Sequence, residues 1–184
     1  MITATPRPSV TSAHLRDASL PDPLRVRRAS PGDAAALVAL SEPFVRAGAL
    51  RRRPFDVYAD RAADFLVAEE PGGVLHGCLA LRVHPDAEPG AEPDAEPGAA
   101  AAGVLYNFCV ARPRQGSGLG ARLLGAALTG ARAQSLAALF TATTGSGRLF
   151  LRHGFAPVPH GLAPRAWART LDPRRGARVL ARAL

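Results

Sequence analysis

Lysine is absent from this 184-residue chain, aromatic residues supply only 5%, and cysteine occurs twice. Each scarcity narrows the reading. Every basic residue is arginine, and 23 of them against 15 acidic residues give a net charge of +8. An Ala-, Arg-, Gly- and Pro-rich composition without lysine points first to GC-rich coding, because net charge speaks to solubility and partners rather than to fold. The arginines gather at Arg51 to Arg53 and at Arg174 and Arg175 with no interleaved aromatics, which argues against a nucleic-acid surface. Cys78 and Cys109 each lie in an apolar run; neither a disulfide framework nor CxxC metal-ligand spacing can be built from them, and a reducing compartment fits. Residues 1 to 20 contain no continuous apolar segment of the kind a secretory signal needs, and no run approaches a membrane span. The expectation is a soluble cytoplasmic protein with neither membrane nor nucleic-acid partner and no metal.

What is present is a globular composition, 47% hydrophobic and 21% charged, with a core of small aliphatic residues. The length suits one domain. Residues 1 to 23 end in Pro21-Asp22-Pro23, show no hydrophobic period and read as a disordered lead-in to a single domain over 24 to 184. Leu24 to Arg27 alternates like a strand, and Ser30-Pro31-Gly32-Asp33 starts a helix over Ala34 to Leu40 that the Pro43 to Gly48 stretch closes. Asp56 to Phe65 has the spacing of a second short helix. Two apolar runs, Phe65 to Ala68 and Val74 to Leu81, flank Pro71-Gly72-Gly73 and predict a hairpin. Between 84 and 103 the repeated Ala-Glu-Pro reads as a low-complexity loop insert. Val104 to Val110 is a buried strand; a glycine turn and a helix over Ala121 to Ala133 follow. Ala137 to Thr144 gives another strand, Ser146 to Arg152 a short helix, and Ala156 to Pro159 a further strand. Trp167 to Leu171 and Ala177 to Leu180 read as a terminal hairpin around Asp172 to Gly176.

The most informative stretch is the turn Gln115-Gly116-Ser117-Gly118-Leu119-Gly120. A glycine turn opening a helix presents unpaired backbone N–H groups and the positive end of the helix dipole, which together suit an anion such as a diphosphate. Arg114 and Arg122 offer full charges at its rim. No Gly-Lys-Ser/Thr follows, as a nucleoside triphosphate loop would require, and the Rossmann glycine spacing is not met.

Val110 to Gly120, followed by Leu123 and Leu124, resembles the acetyl-CoA motif of the GNAT acetyltransferase superfamily: Gln or Arg, two residues, Gly, one residue, then Gly or Ala. Gln115, Gly118 and Gly120 fill it. The resemblance covers about three quarters of the chain and implies an α/β (α+β) GNAT fold. That fold has a mixed central sheet of roughly six to seven strands, mostly antiparallel, with a splayed parallel pair in the middle and about four flanking helices. By this likeness Phe108, Cys109 and Val110 would meet the pantetheine arm of acetyl-CoA, and Gln115, Gly116, Ser117, Gly118, Leu119, Gly120 and Ala121 its diphosphate.

Within the superfamily the chain is most similar to the N-acetylglutamate synthase type of amino-acid acetyltransferase. Pro43 to Leu50, Arg52-Arg53 and Phe65 resemble one block of it; Phe140 through Thr143-Thr144 to Phe150, with His153-Gly154-Phe155, resembles another. The implied partner is a small amine bearing a carboxylate, glutamate-like, with Arg52, Arg53, Thr143 and Thr144 as acceptor contacts. Three positions depart from the family pattern. The usual glutamate base falls on Val104, the tyrosine acid on Phe150, and an arginine after the threonines on Gly145. Tyr106 and Asn107 are therefore the polar residues expected to act nearest the chemistry, with Tyr58 behind them. A different small amine, such as a secondary metabolite or antibiotic, or a non-catalytic acyl-CoA-binding module, are the other readings open to this sequence. A homodimer is allowed but not required.

Overall fold

The computed structural model describes residues 24 to 84 and 101 to 184. The lead-in over 1 to 23 and the centre of the Ala-Glu-Pro insert lie outside the described residues. Seven strands form one sheet in the order β1-β2-β3-β4-β5-β7-β6. Their spans are β1 Arg25–Arg28, β2 Phe65–Glu69, β3 Leu75–His84, β4 Ala102–Val110, β5 Ala138–Thr143, β6 Ala156–Pro157 and β7 Arg178–Ala183. All neighbours are antiparallel except β4 and β5. The helices among the described residues are α1 Ala34–Arg46, α2 Phe55–Asp60, α3 Leu119–Ala133, α4 Arg148–Arg152 and α5 Arg165–Ala168.

Local chemistry explains most of these elements. Arg27 on β1 bonds both carboxylate oxygens of Asp33, at 2.8 and 2.9 Å, and both of Glu69, at 2.8 Å each. Asp33 also accepts from the N–H and hydroxyl of Ser30, so one cluster ties β1, the start of α1 and β2 together. The Arg27 guanidinium and the Ser30 donors hold the Asp33 carboxyl well below the ordinary carboxylate range. The hairpin turns where expected, with Gly72 and Gly73 at φ 116° and 89°, angles that side chains rarely tolerate.

The sheet carries two main layers of packing. On one face α3 buries Leu119, Leu123, Leu124, Ala127, Leu128 and Ala131, an i, i+4 and i+5 stripe repeated along the helix. Leu123 and Leu124 are completely buried, and each contributes about 2 kcal/mol. On the other face Leu37 of α1, Tyr58 of α2 and Ala62 of the turn after it cover Phe65, Val67, Cys78 and Ala80.

Four expectations need correction. Helix α1 runs through Pro43 to Arg46: proline forfeits one backbone bond, and the remaining turn still closes, with Ala47 N–H on the Pro43 carbonyl at 3.2 Å. The second helix is shorter than its apolar spacing, ending at Asp60 before a separate 3-10 turn over Ala62–Asp64. Strand pairing also reaches into the segment read as insert, where Val83 faces Gly103 and His84 faces Ala102. Gly103 belongs there because a Cβ would come within 2.5 Å of Leu139, 2.7 Å of Leu81 and 2.9 Å of Leu136. Finally, no terminal hairpin forms. Residues 165 to 168 are helical, and β7 inserts between β5 and β6, because Trp167, Ala168 and Leu171 pack as one helical face against Phe140 and Val179. The two cysteines, distant in sequence, are cross-strand partners on β3 and β4 with sulfurs 3.5 Å apart.

Candidate active site

Strand β4 is built to bend. Cys78 pairs with Cys109 but Ala80 pairs with Tyr106, so Asn107 and Phe108 together oppose Leu79, which is a β-bulge. Asn107 absorbs the bend at φ 49°, a left-handed conformation that asparagine tolerates better than most residues. Its amide is fastened under the helices: Nδ2 donates to Ser41 Oγ at 3.0 Å, and Oδ1 accepts from the Tyr58 hydroxyl at 3.4 Å. The extra residue also reverses the alternation. Tyr106 and Cys109 pack with the α1 and α2 layer, whereas Leu105, Phe108 and Val110 pack with the α3 layer.

On its other edge β4 pairs with β5 only from Ala102 and Ala138 to Val104 and Phe140. One side-chain bond follows, Thr141 Oγ1 to the Leu105 carbonyl at 3.2 Å. Beyond it β4 continues to Val110 and β5 to Thr143 with no further ladder between them, and the sheet is split.

The glycine turn sits at the end of β4. Gln115 Nε2 donates to the Val110 carbonyl at 2.9 Å, and the Ser117 hydroxyl to the Arg114 carbonyl at 2.7 Å. These bonds fold the turn upon itself. Gly116 and Gly118 have φ of 82° and 86°, with nothing within 4 Å of the place a Cβ would take. The first bond of α3 is Arg122 N–H to the Gly118 carbonyl at 3.1 Å. Among the described residues, no backbone acceptor meets the N–H groups of Gly118, Leu119, Gly120 and Ala121. Gly120 serves packing instead, because a Cβ there would lie 3.2 Å from Leu149 and 3.5 Å from Phe108. Arg122 does not stand at the rim as the sequence suggested. It turns back to the Leu24 carbonyl at 2.5 Å, and Arg114 leans toward Glu70, 3.7 Å away.

On the α1 and α2 side the split opens into a cleft of about 720 Å³. Among the described residues five arginines line it, Arg51, Arg52, Arg53, Arg82 and Arg175, against one carboxylate, Asp172. They differ in what they do. Arg51 donates to the Thr170 carbonyl at 2.7 Å and Arg175 to the Gly48 carbonyl at 2.6 Å, lacing the 48 to 53 loop to the 160 to 177 segment. Arg52 is 70% exposed and pairs with Glu42 at 3.1 Å at the outer edge of the cleft, whereas Arg53 reaches further in. The Arg53 guanidinium lies 4.6 Å from the Tyr106 ring centre, and its Nε is buried with no partner among the described residues. Burial pushes its pKa down, the mark of a charge short of a counter-ion. Arg82 flanks the same ring at 5.2 Å and approaches Asp64 at 3.6 Å.

Tyr106 is the centre of this stack. Its hydroxyl donates to Asp64 Oδ2 at 2.9 Å, and burial, followed by the Asp64 charge and that bond, pushes its pKa up to about 12. Thr143 and Thr144 line the floor, and Thr143 Oγ1 accepts from the Gly145 N–H at 3.2 Å. Val104 is buried, and Phe150 packs edge-on against Phe108 and Phe155 at 5.7 and 5.4 Å. Neither carries a proton. The sequence reading did not place Arg82, Arg175 or Asp64 in the site; the only signal for them was one charged side chain at the end of an apolar strand run, one member of the Arg174-Arg175 pair and one isolated carboxylate. No cluster of three or more His, Cys, Asp or Glu able to hold a metal occurs among the described residues.

A seven-stranded sheet split at its single parallel pair, with a glycine turn opening a helix beside the gap, defines a class. The family model described as acetyltransferase (GNAT) domain matches residues 61 to 157, and the chain belongs to that family. Its more particular likeness is to enzymes of amino-acid acetylation. The chain is 31% identical over 160 residues to an amino-acid acetyltransferase of Pseudomonas fluorescens, covering 87% of this chain and 34% of that protein. N-acetylglutamate synthase from Neisseria gonorrhoeae, solved with coenzyme A and N-acetyl-glutamate, superposes with a TM-score of 0.71 and 26% identity over 88% of this chain and 35% of that one. A Mycobacterium tuberculosis protein solved with CoA shares the fold, with a TM-score of 0.69 and 22% identity over 87% of this chain and 99% of that one. The chain thus spans about a third of the length of the first two relatives.

Proposed function

We propose that this chain is an acetyl-CoA-dependent N-acetyltransferase whose acceptor is the amino group of an amino acid, glutamate-like, or a related small carboxylated amine. One observation carries the proposal: the opening in the sheet has unpaired backbone N–H groups at one end and, at the other, the half-buried Arg53 guanidinium, stacked on Tyr106 with its buried Nε unpartnered among the described residues. The turn over Gln115 to Ala121 suits the diphosphate, because fixed N–H dipoles and a helix N-terminus bind anions without needing a charged side chain. The split edge of β4 over Phe108, Cys109 and Val110 suits the amide-rich pantetheine arm. Arg53, supported by Arg82, suits the acceptor carboxylate, with Thr143 and Thr144 as further polar contacts and Arg52 at the outer edge. Held this way, amine and thioester meet as neighbours, which supplies much of the rate by orientation alone. A cytoplasmic site of action is part of the same proposal, supported by the two free thiols.

Two measurements test it. Calorimetry with coenzyme A should show binding, and a thiol-release assay over a panel of amines should show turnover confined to those with a carboxylate. Binding without amine-dependent thiol release would mark a non-catalytic module, and turnover equal on amines lacking a carboxylate would remove the clamp from the argument. Among the described residues no helix is long and apolar enough to cross a membrane.

A further inference from the structure

An acceptor amine reaches neutral water as an ammonium ion, so the transfer needs a way out for a proton. Val104 offers none, and the one carboxylate that lines the cleft among the described residues, Asp172, is engaged with the backbone N–H of Arg174 at 2.9 Å. Tyr106 lies two residues beyond Val104 on the same face of β4, about 7 Å further toward the split end. A phenol has one proton to give and two lone pairs to receive. Here the proton points to Asp64 at 2.9 Å, and the Arg82 guanidinium meets one lone pair at 3.5 Å. The other lone pair has no partner among the described residues. Arg53 stacks on the same ring, and the amino group of an α-amino acid sits two bonds from its carboxylate carbon. A carboxylate held by Arg53 therefore brings the amine alongside the phenol. The Asp64 side chain is 28% exposed, which leaves it open to water.

We infer that Tyr106 and Asp64 form the proton exit of this acetyl transfer, an inference that rests on the amino-acid reading above. The ammonium N–H bond breaks and its proton binds the Tyr106 oxygen, while the phenol O–H bond breaks and that proton moves to Asp64 Oδ2. The electron pair stays on nitrogen and becomes the nucleophile. Asp64 returns its proton to water. The second proton that nitrogen loses, when the tetrahedral adduct collapses, goes to the departing thiolate, so ammonium and thioester give amide, thiol and one proton in solution. Because the phenol is held neutral by burial and by the Asp64 charge, Tyr106 relays a proton and does not serve as an anionic base. The charged groups facing the pair are Arg53 from the loop before α2 and Arg82 from β3. Phe65 of β2 presents only its ring, 5.7 Å away, and His84 and His160 line the same cleft.

The test is amine-dependent thiol release by wild type, Tyr106→Phe and Asp64→Asn at saturating acetyl-CoA, from about pH 6 to about pH 10. Near neutrality both variants should lose about 100-fold in kcat, with the amino-acid KM changed by less than about 3-fold. That deficit should close as the pH approaches the pKa of the amine, where the acceptor arrives already neutral. An α-aminooxy acid, whose terminal nitrogen is neutral near pH 7, should be acetylated by both variants at close to the wild-type rate. A deficit equal at every pH and with both acceptors, or one confined to KM, means that Tyr106 only props the arginines, and it overturns the relay. If wild type releases no thiol with any carboxylated amine, the amino-acid reading itself falls and takes the relay with it, so the two failures are told apart. Should Tyr106→Phe not fold, Asp64→Asn alone gives the same readings.

Discussion

At one end of the β4–β5 opening the protein offers backbone N–H groups from a single stretch, Gly118 to Ala121, and at the other it offers guanidinium groups gathered from positions 51, 53, 82 and 175. The first end depends on φ angles and the second on stacking. Side chains in the turn are mostly exposed and contribute by closing it, as Gln115 and Ser117 do, so the ligand proposed for it would be read by main-chain geometry. In the cleft the reverse holds. Arg53 has its orientation only because Tyr106 lies beneath it, and Tyr106 is oriented by Asp64 and by the bulge that follows it.

This contrast can be broken or sharpened in four ways, taken from the largest expected effect to the smallest. Gly118→Val should weaken coenzyme A binding about 100-fold by calorimetry, because a β-branched residue at φ 86° is strained by about 1–3 kcal/mol and points its side chain into the anion site. An unchanged affinity would mean that the turn does not bind through its backbone. Arg53→Ala should lower kcat/KM for amino acids by about 10- to 100-fold, the loss of a charge-assisted bond, with the acetyl-CoA KM unmoved. Arg52→Ala should stay within about 3-fold, since an exposed pair is worth little. Equal losses in the two variants would place the clamp at the outer edge.

Asn107→Ala should destabilise the fold by about 2 kcal/mol in thermal or denaturant unfolding, because Ser41 and Tyr58 lose a buried partner. It tests whether the bulge belongs to the scaffold or to the site. The smallest effect is on acid stability. Asp33 titrates below its ordinary value because Arg27 binds it, so its contribution is full above the unfolded pKa of about 4 and drains away as the pH falls through the lower folded value. Asp33→Asn should flatten that acid limb and cost about 1 kcal/mol near neutrality; an unchanged limb would place the acid sensitivity elsewhere.

The sequence was read best where the information is local. The hairpin at Pro71 to Gly73, the strand to Val110 and the turn to Gly120 all lie where spacing and glycine placement put them, and the turn proposed for the diphosphate needed no distant partner to be seen. The acceptor end was legible only as the words arginine and threonine. Arg52 and Arg53 are chemically identical neighbours, yet one extends to Glu42 at the surface and the other turns inward over Tyr106. No pattern in the chain distinguishes them. The terminal segment was misread because Trp167, Ala168 and Leu171 fit a strand as well as a helical face until Phe140 and Val179 are there to pack against.

Hydrophobic period, turn chemistry and the placing of glycines, all set within about ten residues of one another, were enough to mark most of the strands and the glycine turn, while the mixed sheet was expected from the family resemblance. The pairing of Tyr106 with Asp64, the inward turn of Arg53 and the meeting of Cys78 with Cys109 arose only on folding. Contacts between residues 31 to 53 positions apart depend on strand register and on the Asn107 bulge, and a one-residue slip of a strand would send Tyr106, Cys78 or Cys109 to the opposite face.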